Sequence, residues 1–458
     1  MFPTAARLRA LALVIALVNP AISVAQAPDP GPVRPLAEIS ALRDEVARLR
    51  EEIDALRSVL ADVRASLAPQ PARAQGAAAP QAPVTPEAIQ VLRAQVEELA
   101  QTKVESTSRL PVKLGGTILI NGFTNSGEAN WLENPNLVNA PPAGLGATGS
   151  TSLTARQSRI GVETSGVSIG TWQASGAMIA DFFGGVPNFQ TGTVMGLPRL
   201  IYAFGRIENA TTAIQAGQDH VLLAPRDPTS LAALSFPLLF RSGNLYLRAP
   251  QIRVEQRLAG GLDMRAGIVT PQAGDFGSTY VFAPVPGAGE RSRAPAVQAR
   301  LGHRRAADVG ARWDVGIAGH YGQERRATGT SDQWAAAADA SVDVGAVGFG
   351  GELYAADLGS AFGAALGQPV RSAGGFGEVR LRATEQVSFN AGGGIDRVSD
   401  DDRRLVPLRG NRTWFGNAIF TLTPELKTSL EYRHLETETS GGAKRTNHHV
   451  NFTFLYGF

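Results

Sequence analysis

The sequence predicts an all-β membrane barrel of about sixteen antiparallel strands with an N-terminal α-helical coiled coil, and three observations carry that prediction. An export-type leader opens the chain, a strict heptad pattern follows it, and from Pro111 onward the hydrophobic period falls from near 3.5 to two. The stretch His449 to Phe458 shows the last pattern best. Val450, Phe452, Phe454, Tyr456 and Phe458 alternate with His449, Asn451, Thr453, Leu455 and Gly457. One face of such a strand is a continuous apolar and aromatic band, and the other is mostly polar or small, as a wall between lipid and a wet lumen requires. A half-buried strand of a soluble sandwich would alternate in the same way, so the rest of the chain decides.

Composition narrows the choice. The 458 residues include 51 glycines and no cysteine, which removes thiol catalysis and cysteine metal sites. A closed barrel satisfies its backbone hydrogen bonds around its own circumference and gains little from disulfides. A formal charge of +2 implies no general attraction to nucleic acid. With 43% hydrophobic residues and near-neutral mean hydropathy, the chain does not read as a helical membrane bundle.

Residues 1–27 read as a signal peptide. Arg7 and Arg9 precede the apolar run Leu11 to Val18, and Ala25-Gln26-Ala27 offers cleavage after Ala27 or, alternatively, after Ala25. Residues 36–68 read as a coiled coil, with Ile39, Leu42, Val46, Leu49, Ile53, Leu56, Leu60 and Val63 spaced alternately by three and four. Glu45 and Glu52 at g positions face Arg50 and Arg57 of a parallel neighbour, whereas an antiparallel pairing sets like charges together. The alternative is an amphipathic helix packed on its own protein, and the heptads do not fix the number of chains. Residues 69–86 are rich in Ala, Pro and Gln and form a semi-rigid linker, and 87–104 resume helical spacing.

Residues 111–458 form the predicted barrel. Tight turns are expected near Val167, Ala210, Gly260, Ala307, Ala346, Glu385 and Pro424, separated by longer stretches rich in Gly, Pro and Asp. Seven tight turns and two free ends give about sixteen strands, with both ends on the periplasmic side. Phe458 is placed as a barrel-assembly signal, the aromatic that completes the outward face.

Parity then selects the pore lining. Arg159, Arg253, Arg257, Arg265, Arg300, Arg304, Arg380 and Arg382, with Glu163, Glu255, Asp263 and Glu378, lie opposite apolar neighbours. On the lipid face near the midplane each Arg or Lys would cost about 2–4 kcal/mol. The arginines either select anions or pair with the carboxylates as a ladder that stiffens the wall. The loop from about Ala224 to Asn244 is unusually apolar for an outer loop and is expected to fold into the barrel, with Arg226, Asp227 and Arg241 lining the gap; packing on a neighbouring subunit or over the mouth is the other reading. The six histidines are scattered, so no metal site is expected. Gly392-Gly393-Gly394 lacks the Lys-Ser/Thr of a phosphate loop and reads as close packing or a bend.

Together with the leader, stalk and linker, Arg156-Gln-Ser-Arg-Ile-Gly161, Ala180-Asp-Phe-Phe-Gly184 and Ala216-Gly-Gln-Asp219 resemble the DcaP-like trimeric porins of Gram-negative outer membranes. The resemblance covers nearly the whole chain and rests on the order of three short motifs. It implies a sixteen-stranded homotrimer with a periplasmic coiled coil, and for some members a preference for dicarboxylates or other anionic solutes. The expected function is a porin for passive diffusion of small hydrophilic, and on this resemblance anionic, solutes. Its partners would be other copies of itself, outer-membrane lipid and the barrel-assembly machinery, with no nucleic acid, cofactor or catalytic residue. A structural anchor with a periplasmic stalk is the alternative, and a barrel enzyme a third.

Overall fold

The computed structural model describes residues 112–144, 148–185, 196–271, 286–305, 310–358 and 361–458. The expected signal peptide, coiled coil, linker and short helix lie outside the described residues. Seventeen strand segments form one antiparallel sheet closed on itself. They begin with β1 (Val112–Asn125), β2 (Ser150–Thr154), β3 (Arg159–Ile169), β4 (Trp172–Asp181), β5 (Arg199–Glu208) and β6 (Thr212–His220). The far wall is β7 (Arg248–Arg257), β8 (Leu262–Val269), β9 (Ala296–Arg305), β10 (Ala311–Arg326), β11 (Gly329–Val344) and β12 (Val347–Asp357). The circuit ends with β13 (Ser372–Arg382), β14 (Val387–Val398), β15 (Leu408–Thr421), β16 (Leu426–Thr439) and β17 (Lys444–Gly457).

β2 and β3 both pair with β1, one above the other, so they are two parts of one stave and the wall has sixteen positions. The chain leaves the wall between them because Gln157 turns inward, where it is fully buried against Ala232 and Ser235. The seam joins β1 to β17, from Thr117 opposite Gly457 to Asn125 opposite His449. Phe458 continues it: its N–H donates to the Gly116 carbonyl at 3.1 Å, and the Gly116 N–H donates to its carbonyl at 3.0 Å.

Tight connections join the strands at the end where β1 starts and β17 finishes. The first of them is displaced from the expected position. Near Val167 the structure has a register shift between Thr164 and Val167, with Gly166 at φ 88°, and β3 runs on to a turn at Gly170 and Thr171. An extra residue in one strand breaks the alternation in the way a turn does. At Gly345 the two-residue connection between β11 and β12 needs φ 60°, which glycine adopts without a Cβ clash.

The two faces separate by parity. On β17, Val450, Phe452, Phe454 and Tyr456 are exposed outward, while Asn447, His449, Asn451 and Thr453 are buried inward. The same division holds around the circuit, where Ile317, Leu353, Val379 and Trp414 face out. Water would not leave so much apolar surface uncovered on a soluble protein, whereas a hydrocarbon layer covers it.

Candidate pore and its inner loop

The segment between β6 and β7, residues 221–247, folds into the barrel. Its apolar residues, which an aqueous outer loop would not carry, pack against the inner wall. Leu223 and Leu245 meet Tyr354 in one cluster; Leu238 and Leu239 meet Phe376 and Phe415 in another. The backbone of the loop is satisfied by wall side chains. The Arg226 N–H donates to Glu352 at 2.7 Å and the Thr229 N–H to Glu378 at 2.8 Å. Ser230 donates to Glu431 at 2.5 Å, Gln157 to the Ala232 carbonyl at 2.8 Å, and Asn411 to the Arg241 carbonyl at 3.0 Å. These anchors lie beside β3 and on β12, β13, β15 and β16, so the loop is held from several sides. The glycine run of β14 explains itself here, since a Cβ on Gly394 would collide with the Ser242 carbonyl oxygen of the loop.

The second segment inside is the β1–β2 connection. Asn134 donates to the Phe236 carbonyl at 2.9 Å and accepts from Arg433 at 2.6 Å, while Arg433 holds Glu431 at 2.7 Å. Arg433 and Glu431 are almost completely buried. Beside β1 and β15–β17 the interior is therefore filled by protein, and many polar wall groups find protein partners there, while Thr117, Ser429, His449 and Asn451 each bury an atom without one.

The opposite flank carries the charged ladder. Arg206 bridges Glu208 and Glu255 at 3.1 Å each, and Arg253 reaches Asp219 and Glu255 at 2.9 Å. Arg265 pairs with Asp263 at 3.1 Å, and Arg304 with Asp314 at 3.1 Å. Arg257 lies at the tight-turn rim against Glu208 at 3.3 Å. Arg300 is buried between Asp339 at 2.8 Å and Asp314 at 2.9 Å. Arg380 joins Glu378 at 2.6 Å and Asp343 at 3.1 Å; Arg382 is exposed and donates to the Gly345 carbonyl. Glu163 lies opposite Ala177 on the inner face of β3 and β4. Of the inner-loop residues, Arg226 clamps the loop to Asp339 and Asp314 at 2.9 Å, and Asp227 faces His220 at 3.6 Å.

At the loop end a cluster forms that the strand pattern does not reveal. Trp131, Phe183, Phe236, Phe240 and Tyr246, from three different connections, gather with ring centroids 4.6–6.2 Å apart. Guanidinium groups lie over these rings: Arg156 on Phe183 at 4.8 Å, Arg199 on Phe236 at 4.8 Å, Arg241 on Phe240 at 5.5 Å and Arg248 on Tyr246 at 5.0 Å. Arg199, Arg241 and Arg248, with Trp131, Phe236, Phe240 and Tyr246, border a cavity of about 480 Å³. Arg156 pairs with Glu133 and Arg199 with Asp181. Among the described residues, Arg159, Arg241 and Arg248 have no carboxylate within ion-pair distance; Arg159 donates to the Leu234 carbonyl, and the Nε of each is buried without an acceptor. Arg241 has φ 63°, a left-handed backbone for a residue with a Cβ. Burial lowers its guanidinium from the ordinary value and raises the Tyr246 hydroxyl. The sequence marks its members only separately: Arg159 by strand parity, Arg241 in the apolar loop, Arg156 in Arg156-Gln-Ser-Arg-Ile-Gly161 and the paired aromatic in Ala180-Asp-Phe-Phe-Gly184.

No protein-family model and no curated protein sequence matches the chain. Solved structures do match. The outer membrane channel DcaP of Acinetobacter baumannii superposes with a TM-score of 0.61 at 15% identity, over 77% of this chain and 99% of that one. An anion-selective porin from Comamonas acidovorans superposes with a TM-score of 0.51 at 12% identity, over 76% of this chain and all of the other. The described chain thus has the fold of an outer-membrane channel, a sixteen-stave antiparallel barrel with a segment folded inside.

Proposed function

We propose that this chain is a homotrimeric outer-membrane porin through which small hydrophilic solutes diffuse down their gradients, anions in preference, with no bond made or broken. The observation that carries the anion preference is the loop-end cluster. Arg241 and Arg248 line a cavity of about 480 Å³ with Arg159 close by, and among the described residues none of the three has a carboxylate within ion-pair distance. Such groups match carboxylate and phosphate, and low-dielectric walls strengthen their field. The paired ladder on the far flank contributes little net charge but gives a solute with both signs a hydrated path. Trimer formation rests on the heptads and on the likeness to the DcaP channel. Planar-bilayer recordings test the reading: stepwise conductance is expected, with a reversal potential of the anion-selective sign in a potassium chloride gradient. A folded barrel without steps would remove it.

The packed interior beside β1 and β15–β17 favours a second reading, in which the barrel is a membrane anchor for a periplasmic stalk. Absence of conductance and of liposome swelling with neutral, anionic and cationic solutes, in a correctly folded protein, would select it.

A further inference from the structure

The outward face of β14–β17 changes character in a fixed order toward the loop end. Ile395, Trp414 and Tyr432 end the apolar band on β14, β15 and β16, Ile395 standing opposite Arg412, and the outward His434 and His448 of β16 and β17 lie with ring centroids 4.8 Å apart. Beyond them come Arg397, Arg412, Glu436 and Lys444, in the same parity as the lipid-facing residues. With a rise of about 3.4 Å per residue, Arg412 stands ~7 Å above Trp414, at the height of a headgroup layer. Arginine on this face is costly at the midplane and nearly free at the interface.

The groups form a shallow groove whose floor is Gly410. Glu436 holds Arg412 at 2.8 Å and Lys444 at 3.0 Å, and Glu438 holds Arg409 at 3.5 Å. Arg397 is exposed and, among the described residues, has no ion pair. Three lining cations (Arg397, Arg412, Lys444) against two carboxylates (Glu436, Glu438) leave a charge of +1 in the groove, and Arg409, held by Glu438 from outside the lining, adds one more. The outward positions of β10–β12 beyond the same apolar band are Gln323, Arg325, Asp332 and Asp357, one cation against two carboxylates, so that flank carries no matching basic patch.

We propose that this groove binds the phosphorylated sugar headgroup of an outer-leaflet glycolipid. Guanidinium forks and an ammonium group aimed sideways into the headgroup layer meet phosphate there, and charge-assisted bonds to phosphate are strong. The carboxylates cancel only part of that charge. The assignment rests on the barrel lying in an outer membrane with its loop end outward, and it does not depend on conduction.

The test uses the full chain reconstituted in phosphatidylcholine vesicles containing either bisphosphorylated lipid A or the same lipid with both phosphates removed. After detergent exchange, native mass spectrometry counts the lipid retained. Retention of the phosphorylated form is expected to exceed the other about tenfold, the worth of one good charge-assisted contact. Arg397→Ser, Arg412→Ser and Lys444→Ser together should erase the difference. Equal retention of both lipids by the unaltered protein, or unchanged retention by the triple variant, would overturn the proposal. So would complete displacement by inorganic phosphate, which indicates a free-anion site, or a triple variant altered only in oligomer mobility, which indicates a subunit contact. Should the triple variant fail to fold, Glu436→Gln with Glu438→Gln must raise retention, and a fall counts against the assignment. Conductance of the same preparations judges the porin reading separately.

Discussion

The two flanks of the barrel interior use polar residues in opposite ways. Beside β1 and β15–β17, Asn121, Asn417, Glu431, Arg433 and Thr453 are buried and spend their hydrogen bonds on one another, on neighbouring wall residues and on the segments folded inside. Along β5–β8, Arg206 pairs with Glu208 on its own strand and with Glu255 across strands, Arg265 pairs with Asp263 beside it, and all keep part of their surface exposed. The first flank holds the inner segments in place, and the second leaves its charged groups partly exposed. A polar inner wall is thus no guarantee of a wet one; what matters is whether protein or water supplies the partners.

Removing the inner loop should change the molecule most. Replacing residues 230–243 by a short Gly-Ser link uncovers a wall of Asn, Thr and Glu side chains that water can solvate, so the barrel should survive and single-channel conductance should rise several-fold. Unchanged conductance would place the constriction elsewhere. Next in size, Arg433→Ala leaves Glu431 buried without its partner, a loss of about 3–5 kcal/mol. Heat-modifiable gel mobility should shift to a lower temperature, and a variant as heat-resistant as the parent would mean this flank is already hydrated.

The third comparison sets unpaired against paired arginines. Arg159→Ser with Arg241→Ser and Arg248→Ser should move the reversal potential toward cations, and the shift should fade as the Debye length falls from ~10 Å at 0.1 M to ~3 Å at 1 M salt. Arg380→Ser should do less, because its guanidinium is already engaged by Glu378, Asp343 and Ser341 and presents little free donor capacity to a passing anion. Equal shifts would show that pairing does not govern selectivity. Gly394→Val should also be felt, because its side chain meets the Ser242 carbonyl oxygen and must displace the inner loop: a lower heat-modification temperature and an altered conductance are expected, and a variant like the parent in both would mean the loop does not rest on β14.

Much of the wall was legible because a period of two survives in single residues: the alternation of Leu262, Met264 and Ile268 with Asp263 and Arg265 is the same in sequence and in space. The inward fold of 221–247 was legible for a similar reason, since Leu231, Leu238 and Phe240 have no place in an aqueous loop. Pairing was not. Arg300 reaches Asp339 across an intervening strand, a contact that depends on the stagger of β9, β10 and β11 and not on any local pattern. The break in the second stave escaped because its cause, the burial of Gln157 under Ala232, lies 75 residues away. The arginine–aromatic cluster escaped because its members come from three connections that have no common period.

The seam between β1 and β17 dictates an order of events. Asn121 accepts a hydrogen bond from Thr453 across 332 residues of sequence, and every other stave pairs with a near neighbour in the chain. Hairpins along the wall can zip up one after another as the chain arrives, each closing a short loop, but the circle has a single long-range contact that must come last. Until it forms, β1 and β17 each present a full row of unsatisfied N–H and carbonyl groups, which is tolerable in water and prohibitive in hydrocarbon. The slow step of assembly is therefore the meeting of the two edges, and whatever shelters them in the meantime sets the rate.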